Sequence, residues 1–86
     1  MKTEKPVYYV STRPEAYEIW GEVGREEARH LGQLIARRAA RHFPDIEFRV
    51  DDVWHDHLPG MALVAAYIDS HWQAWVAEAV DHSQVA

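Results

Sequence analysis

Residues 25–50 read REEARHLGQLIARRAARHFPDIEFRV, and this stretch decides the predicted fold. Its apolar residues recur at helical spacing, which predicts an amphipathic helix with a buried stripe made by Ala28, Leu31, Ile35, Ala39 and either Phe43 or His42, with Leu34 beside them. We expect the helix to start near Gly21 or Gly24. It should end near His42, because the residue before Pro44 avoids the helical conformation. Glutamates in its first turns and arginines in its last turns suit the helix dipole.

Working outward from this helix, three short segments read as strands. Ile46 to Val50 alternates apolar and charged residues, which predicts a strand with one wet face, in an antiparallel or edge position. Val7 to Val10 is rich in β-forming residues. Ala16 to Trp20 also alternates and follows a turn at Pro14, so we expect it to pair with the first strand as a hairpin.

The segment from Met61 to Val80 has two interpretations. Its apolar residues fill one helical stripe, and Pro59 suits a helix start, which favours a single long helix. In the alternative, Ala62–Ile68 is a fourth strand, and Asp69 or Ser70 caps a shorter final helix.

The predicted fold is therefore α+β, in one compact domain spanning residues 1–86 with frayed ends at 1–5 and 82–86. We expect a small single-layer antiparallel or mixed sheet with two helices packed on one face. The order is ββαβα with three strands, or ββαββα with four in the alternative.

Charge is divided unevenly along the chain. Before Pro44 there are eight basic residues and six acids, whereas after it Arg49 alone opposes eight acids, giving a net charge of −5. This charge argues against a general nucleic-acid binder. The chain has no cysteine and no apolar run long enough for a membrane span, and its first residues lack an apolar signal core. We expect a cytoplasmic protein without a cofactor.

The strongest local cluster is DDVWHDH at residues 51–57, which combines acids, an aromatic ring and two imidazoles. We predict that it carries partner binding through Asp51, Asp52, Trp54, His55, Asp56 and His57. A second hypothesis is a metal site, because a His-x-His pair on a strand points both rings the same way and Asp52 could be a third ligand. A solvated loop is the structural alternative, and no second motif supplies a fourth ligand.

Two other surfaces are candidates for contact with partners. Arg25, Arg29, Arg37 and Arg41 form a line on the exposed side of the first helix, which can bind phosphates or carboxylates or can simply be solvated. Trp72 and Trp75 on the last helix are expected in the core. Any part of them left uncovered would mark a homodimer or partner interface.

One stretch resembles a known family. Leu31, Ile35-Ala36-Arg37-Arg38 and Phe43-Pro44-Asp45, followed by a strand, are similar to the helix-to-strand junction of the DinI family. The resemblance covers about fifteen residues and implies a βαββα fold that binds and modulates the RecA recombinase filament.

The sequence offers no cysteine nucleophile, no glycine-rich phosphate loop and no acid–base pair, so we expect no enzyme activity. The predicted function is that of a small acidic regulator or inhibitor that docks on a basic cleft of a larger protein. By analogy with compact inhibitors of phages and mobile elements, that protein would handle nucleic acid. Metal binding through His55 and His57, and DinI-like modulation of a filament, are the alternatives.

Overall fold

A computed structural model describes residues 5–13, 22–53 and 59–85, the last five as backbone only. Four elements follow one another in the order β-α-β-α. They are strand β1 at Val7–Ser11, helix α1 at Arg25–His42, strand β2 at Glu47–Asp51 and helix α2 at Ala62–Val85.

The predicted antiparallel or mixed sheet of three or four strands is wrong. In the described residues the sheet has two strands, and they run parallel, with Val7 opposite Glu47 and Ser11 opposite Asp51. Alternation in β2 indicates one wet face but carries no information about direction. Direction follows from the connection, because α1 packs on both strands and returns the chain to the same end of the sheet. The predicted strand at Ala16 to Trp20 lies outside the described residues.

Helix α1 confirms its prediction closely. It begins at Arg25 after Gly24 as N-cap and ends at His42, where the Phe43 N–H donates to the Ala39 carbonyl at 2.9 Å. Ala28, Leu31, Ile35 and Ala39 of the predicted stripe are buried, and Gly32 and Ala36 join them. At the end of the stripe Phe43 is half-buried and His42 is exposed. Glu26 and Glu27 lie in the first turn, where the helix dipole favours negative charge.

Helix α2 is the single long helix that the stripe of apolar residues favoured, so the alternative strand at Ala62–Ile68 is wrong. The chain enters it through a turn at Pro59 and Gly60. Gly60 has a φ of 93°, which a residue with a side chain adopts only with strain. Val64, Ile68 and Val76 are buried on its inner side, and Met61 is buried just before its first residue.

The core lies between the sheet and the two helices, and the inward side chains of the strands form part of it. Tyr8 and Val10 from β1, Ile35 from α1 and Ile68 from α2 are all at most 4 % exposed. His42 at the end of α1 stacks on Tyr67 near the start of α2, and Arg38 reaches Glu78 further along, so the helices run in opposite directions. Because the strands run parallel and α1 follows β1, the carboxyl ends of both strands lie beside the N-terminus of α1.

Candidate binding surfaces

A crevice lies at the carboxyl edge of the sheet. It has a volume of about 480 Å³ and is lined by the residues that follow each strand and by the first turn of α1: Thr12, Arg13, Val23, Arg25, Ala28, Asp52 and Val53. In parallel α/β structures this edge is where loops present ligand-binding residues. The candidate site is therefore built by the βαβ unit as a whole.

Backbone and side-chain hydrogen bonds hold the ends of β1 and β2 together at this edge. The Thr12 N–H donates to the Asp51 carbonyl at 2.9 Å, and the Thr12 hydroxyl approaches the same oxygen at 3.4 Å. Asp51 Oδ1 accepts a hydrogen bond from the Val53 N–H at 3.3 Å, and the Ser11 hydroxyl oxygen accepts one from the Arg13 N–H at 3.3 Å. One Asp51 carboxylate oxygen therefore supports the bend, while Asp52 and Val53 are exposed beyond it.

The charge of this edge is mixed. Asp52 from the acidic half of the chain shares the crevice with Arg13 and Arg25 from the basic half. The charge division along the sequence therefore does not separate into two faces of the molecule here. Sequence reasoning missed Arg13 as a neighbour of Asp52, because only the parallel pairing brings them together.

The predicted 51–57 cluster is described in part. Asp51 and Asp52 lie at the carboxyl edge, whereas Trp54, His55, Asp56 and His57 lie outside the described residues. The metal hypothesis depends on His55 and His57, so it stays a prediction. Within the ranges that the structure describes, no group of three or more His, Asp or Glu side chains could hold a metal ion.

The predicted arginine line is exposed along its whole length. Arg25, Arg29, Arg37 and Arg41 all face solvent, and in the described part of the chain none of them forms an ion pair. Each step of four residues advances about 6 Å and turns about 40° around the axis, so the line wraps across the outer face of α1. Two of its members line different cavities, since Arg25 lines the carboxyl-edge crevice and Arg37 lines a second cavity.

That second cavity, of about 720 Å³, opens between α1 and the C-terminal part of α2. Its lining combines Glu27, His30 and Arg37 with the apolar Leu34 and Val80. The sequence did not predict it, because it forms between two helices that only the tertiary structure brings together.

The predicted tryptophan surface is divided between core and exterior. Trp75 is 9 % exposed and belongs to the core, while Trp72 is half-buried against it. Trp75 ends a column of rings that joins the helices, in which His42 stacks on Tyr67 at 4.1 Å between ring centroids, followed by His71. His71 is fixed further because its Nδ1 donates to the Tyr67 carbonyl at 2.8 Å. Among the described side chains of α2, the exposed large apolar residues are instead Leu63, at 77 %, and Val80, at 38 %.

The helices in the described ranges include none with the length and apolar character needed to cross a membrane.

Comparisons with known proteins found no match to this chain. No protein-family model, curated protein or solved structure matches the chain.

Proposed function

We propose that this chain is a small non-enzymatic binding protein, a regulator or inhibitor that docks its 51–57 segment on a basic cleft of a larger protein. The observation that carries the proposal is the exposure of Asp52 and Val53 at the carboxyl edge, where Val53 is 52 % exposed. A carboxylate beside an exposed apolar side chain suits an interface, because the charge steers association and the apolar group is buried on contact.

The bend that presents these residues is built into the fold. The Asp51 carboxylate accepts the Val53 N–H, and the strand behind it is hydrogen-bonded to Thr12. A bend at residues 51–53 that is already held by hydrogen bonds loses less conformational entropy on binding. Asp51 therefore acts in the proposal mainly as support, and Asp52 as the group that meets a basic partner such as the nucleic-acid groove of an enzyme.

Capture from an extract of the native host tests this proposal. We expect proteins retained by the wild-type chain to be lost with Asp52→Ser/Val53→Ser and to be released by raised salt, because exposed charges are screened. Asp45→Ser is the matched control, since it removes an exposed acid at the other end of β2.

The same experiment separates the proposal from metal binding. Capture should be unchanged in EDTA if the acids act directly, and lost if His55 and His57 work through a metal. Retention of the same proteins by the double variant and by Asp45→Ser at every salt concentration would contradict docking through Asp52 and Val53.

A further inference from the structure

The backbone of β2 directs its hydrogen-bonding groups alternately toward β1 and away from it. The Glu47 N–H donates to the Pro6 carbonyl, and the Asp51 carbonyl accepts from the Thr12 N–H, each at 2.9 Å. With the parallel register of the pair, Glu47, Arg49 and Asp51 therefore bond to β1. Phe48 and Val50 point their N–H and C=O groups to the opposite edge.

That edge of β2 is open in the described structure. Across residues 5–13, 22–53 and 59–85 the sheet ends at β2, and no further strand lies beyond it. The side chains report the same asymmetry, since Ile46, Phe48 and Val50 pack on the core but stay partly exposed. An unpaired edge that carries apolar side chains is a template for another strand.

We propose that the occupant of this edge is β2 of a second copy of the chain, paired antiparallel about Phe48. Phe48 would then exchange both hydrogen bonds with Phe48 of the second copy, and each Val50 N–H would donate to the Ile46 carbonyl of the other copy. Ile46 contributes only its carbonyl, because its N–H already donates to the Phe43 carbonyl at 3.1 Å. The apolar side chains meet their like, Phe48 against Phe48 and Ile46 against Val50.

Charge complementarity on the outer face selects this register. Pairing about Phe48 places Glu47 of each copy opposite Arg49 of the other. These are non-hydrogen-bonded pairs of the antiparallel ladder, in which the side chains approach most closely. Both side chains are about half exposed and already form an ion pair at 2.6 Å within one copy, so dimerisation would close a ring of alternating charges. Pairing centred on Arg49 would instead set arginine against arginine and Glu47 against Asp51.

The dimer would also complete the sheet. Pairing about a two-fold axis would join the described strands into one sheet in the order β1-β2-β2-β1. This interface between two β2 strands involves neither Trp72 and Trp75 on α2 nor the carboxyl-edge crevice.

A charge-exchange experiment tests the proposal on the full chain. Glu47→Arg leaves two arginines on the edge and Arg49→Glu leaves two glutamates, so each variant alone should raise the dimer Kd by about tenfold or more. An equimolar mixture of the two should restore dimers, because the charges are then complementary between the copies. Sedimentation equilibrium from micromolar to millimolar concentration measures this, and Arg37→Glu, an exposed change on α1, should behave as wild type.

Amide hydrogen exchange gives a readout that unfolding would not imitate. The Phe48 and Val50 amides should gain protection as concentration rises, while those of Glu47, Arg49 and Asp51, already bonded to β1, should not change. A wild-type chain that stays monomeric over the whole range overturns the proposal. So does a dimer that both variants keep, or a mixture that fails to associate when each variant is folded.

Discussion

Strands β1 and β2 have the same length and lie in register, yet their side chains have different surroundings. In β1, Tyr8 and Val10 are buried, whereas their register partners Phe48 and Val50 in β2 are half-buried. The alternating pattern of β2 predicted one wet face but not this difference. Strand order does not decide it, because each strand is an edge of the described two-stranded sheet; the core covers the inward side chains of β1 more completely than those of β2.

The largest expected effect comes from making the same truncation in both strands. Val10 is 1 % exposed, so Val10→Ala should lower the free energy of unfolding by about 2–3 kcal/mol, through lost transfer energy and a residual cavity. Val50→Ala, at the register partner, should cost about 1 kcal/mol, because its open flank already contacts solvent.

Urea unfolding of the two variants measures this difference, at concentrations low enough to exclude self-association. Equal losses in the two variants would mean that the flank of β2 is covered as completely as that of β1.

The dependence of stability on alkaline pH tests the burial of β1 further, because Tyr8 on its inner face carries an ionisable hydroxyl. Burial, with a smaller contribution from the negative charge of Asp69, raises the pKa of Tyr8 to about 12. The folded state therefore holds the proton after the unfolded chain has lost it near pH 10. The stability that the raised pKa of Tyr8 contributes to the folded state is present below pH 10. It is lost as pH rises toward 12, which lowers the free energy of unfolding by about 2 kcal/mol.

Tyr8→Phe is the control, since it retains the ring that packs on Phe48 at 5.7 Å. The unfolding free energy of wild type should fall relative to that of the variant as pH rises from 10 to 12, and tyrosinate absorbance of the folded chain should lack an early transition for Tyr8. Parallel stability curves for wild type and variant would contradict burial of the hydroxyl.

The smallest expected effect concerns the point where α1 touches both strand ends. A Cβ on Gly32 would lie 3.0 Å from Val50 Cγ1 and 3.2 Å from Thr12 Cγ2. Gly32→Ala should therefore destabilise the fold by about 1 kcal/mol net, because crowding outweighs the higher helix propensity of alanine.

The Val50→Ala background provides the matched test, because it removes the nearer methyl group. There the cost of Gly32→Ala should fall by at least about 0.5 kcal/mol in a double-mutant cycle. Additive effects would show that Thr12, at the end of β1, sets the spacing instead.

Part of the candidate site was predictable from the sequence. Asp51 and Asp52 stand directly after an alternating strand, so their place at a strand end followed from local pattern. Their neighbours did not follow, because Arg13 lies 39 residues before Asp52 and meets it only through the parallel ladder. The open edge of β2 was also hidden, since alternation is the same for an inner and an outer strand.

The sequence by itself determined α1 and the positions of β1 and β2, and it favoured α2 as a single helix over the alternative strand. Helical periodicity, the end of α1 before Pro44 and the stripe through α2 are short-range features, and local propensity and capping decide them. Only the tertiary structure decided that the strands run parallel, that acids and arginines share one crevice and that β2 keeps an open edge. These depend on how α1 packs across two strands more than thirty residues apart in the chain, which no local pattern encodes.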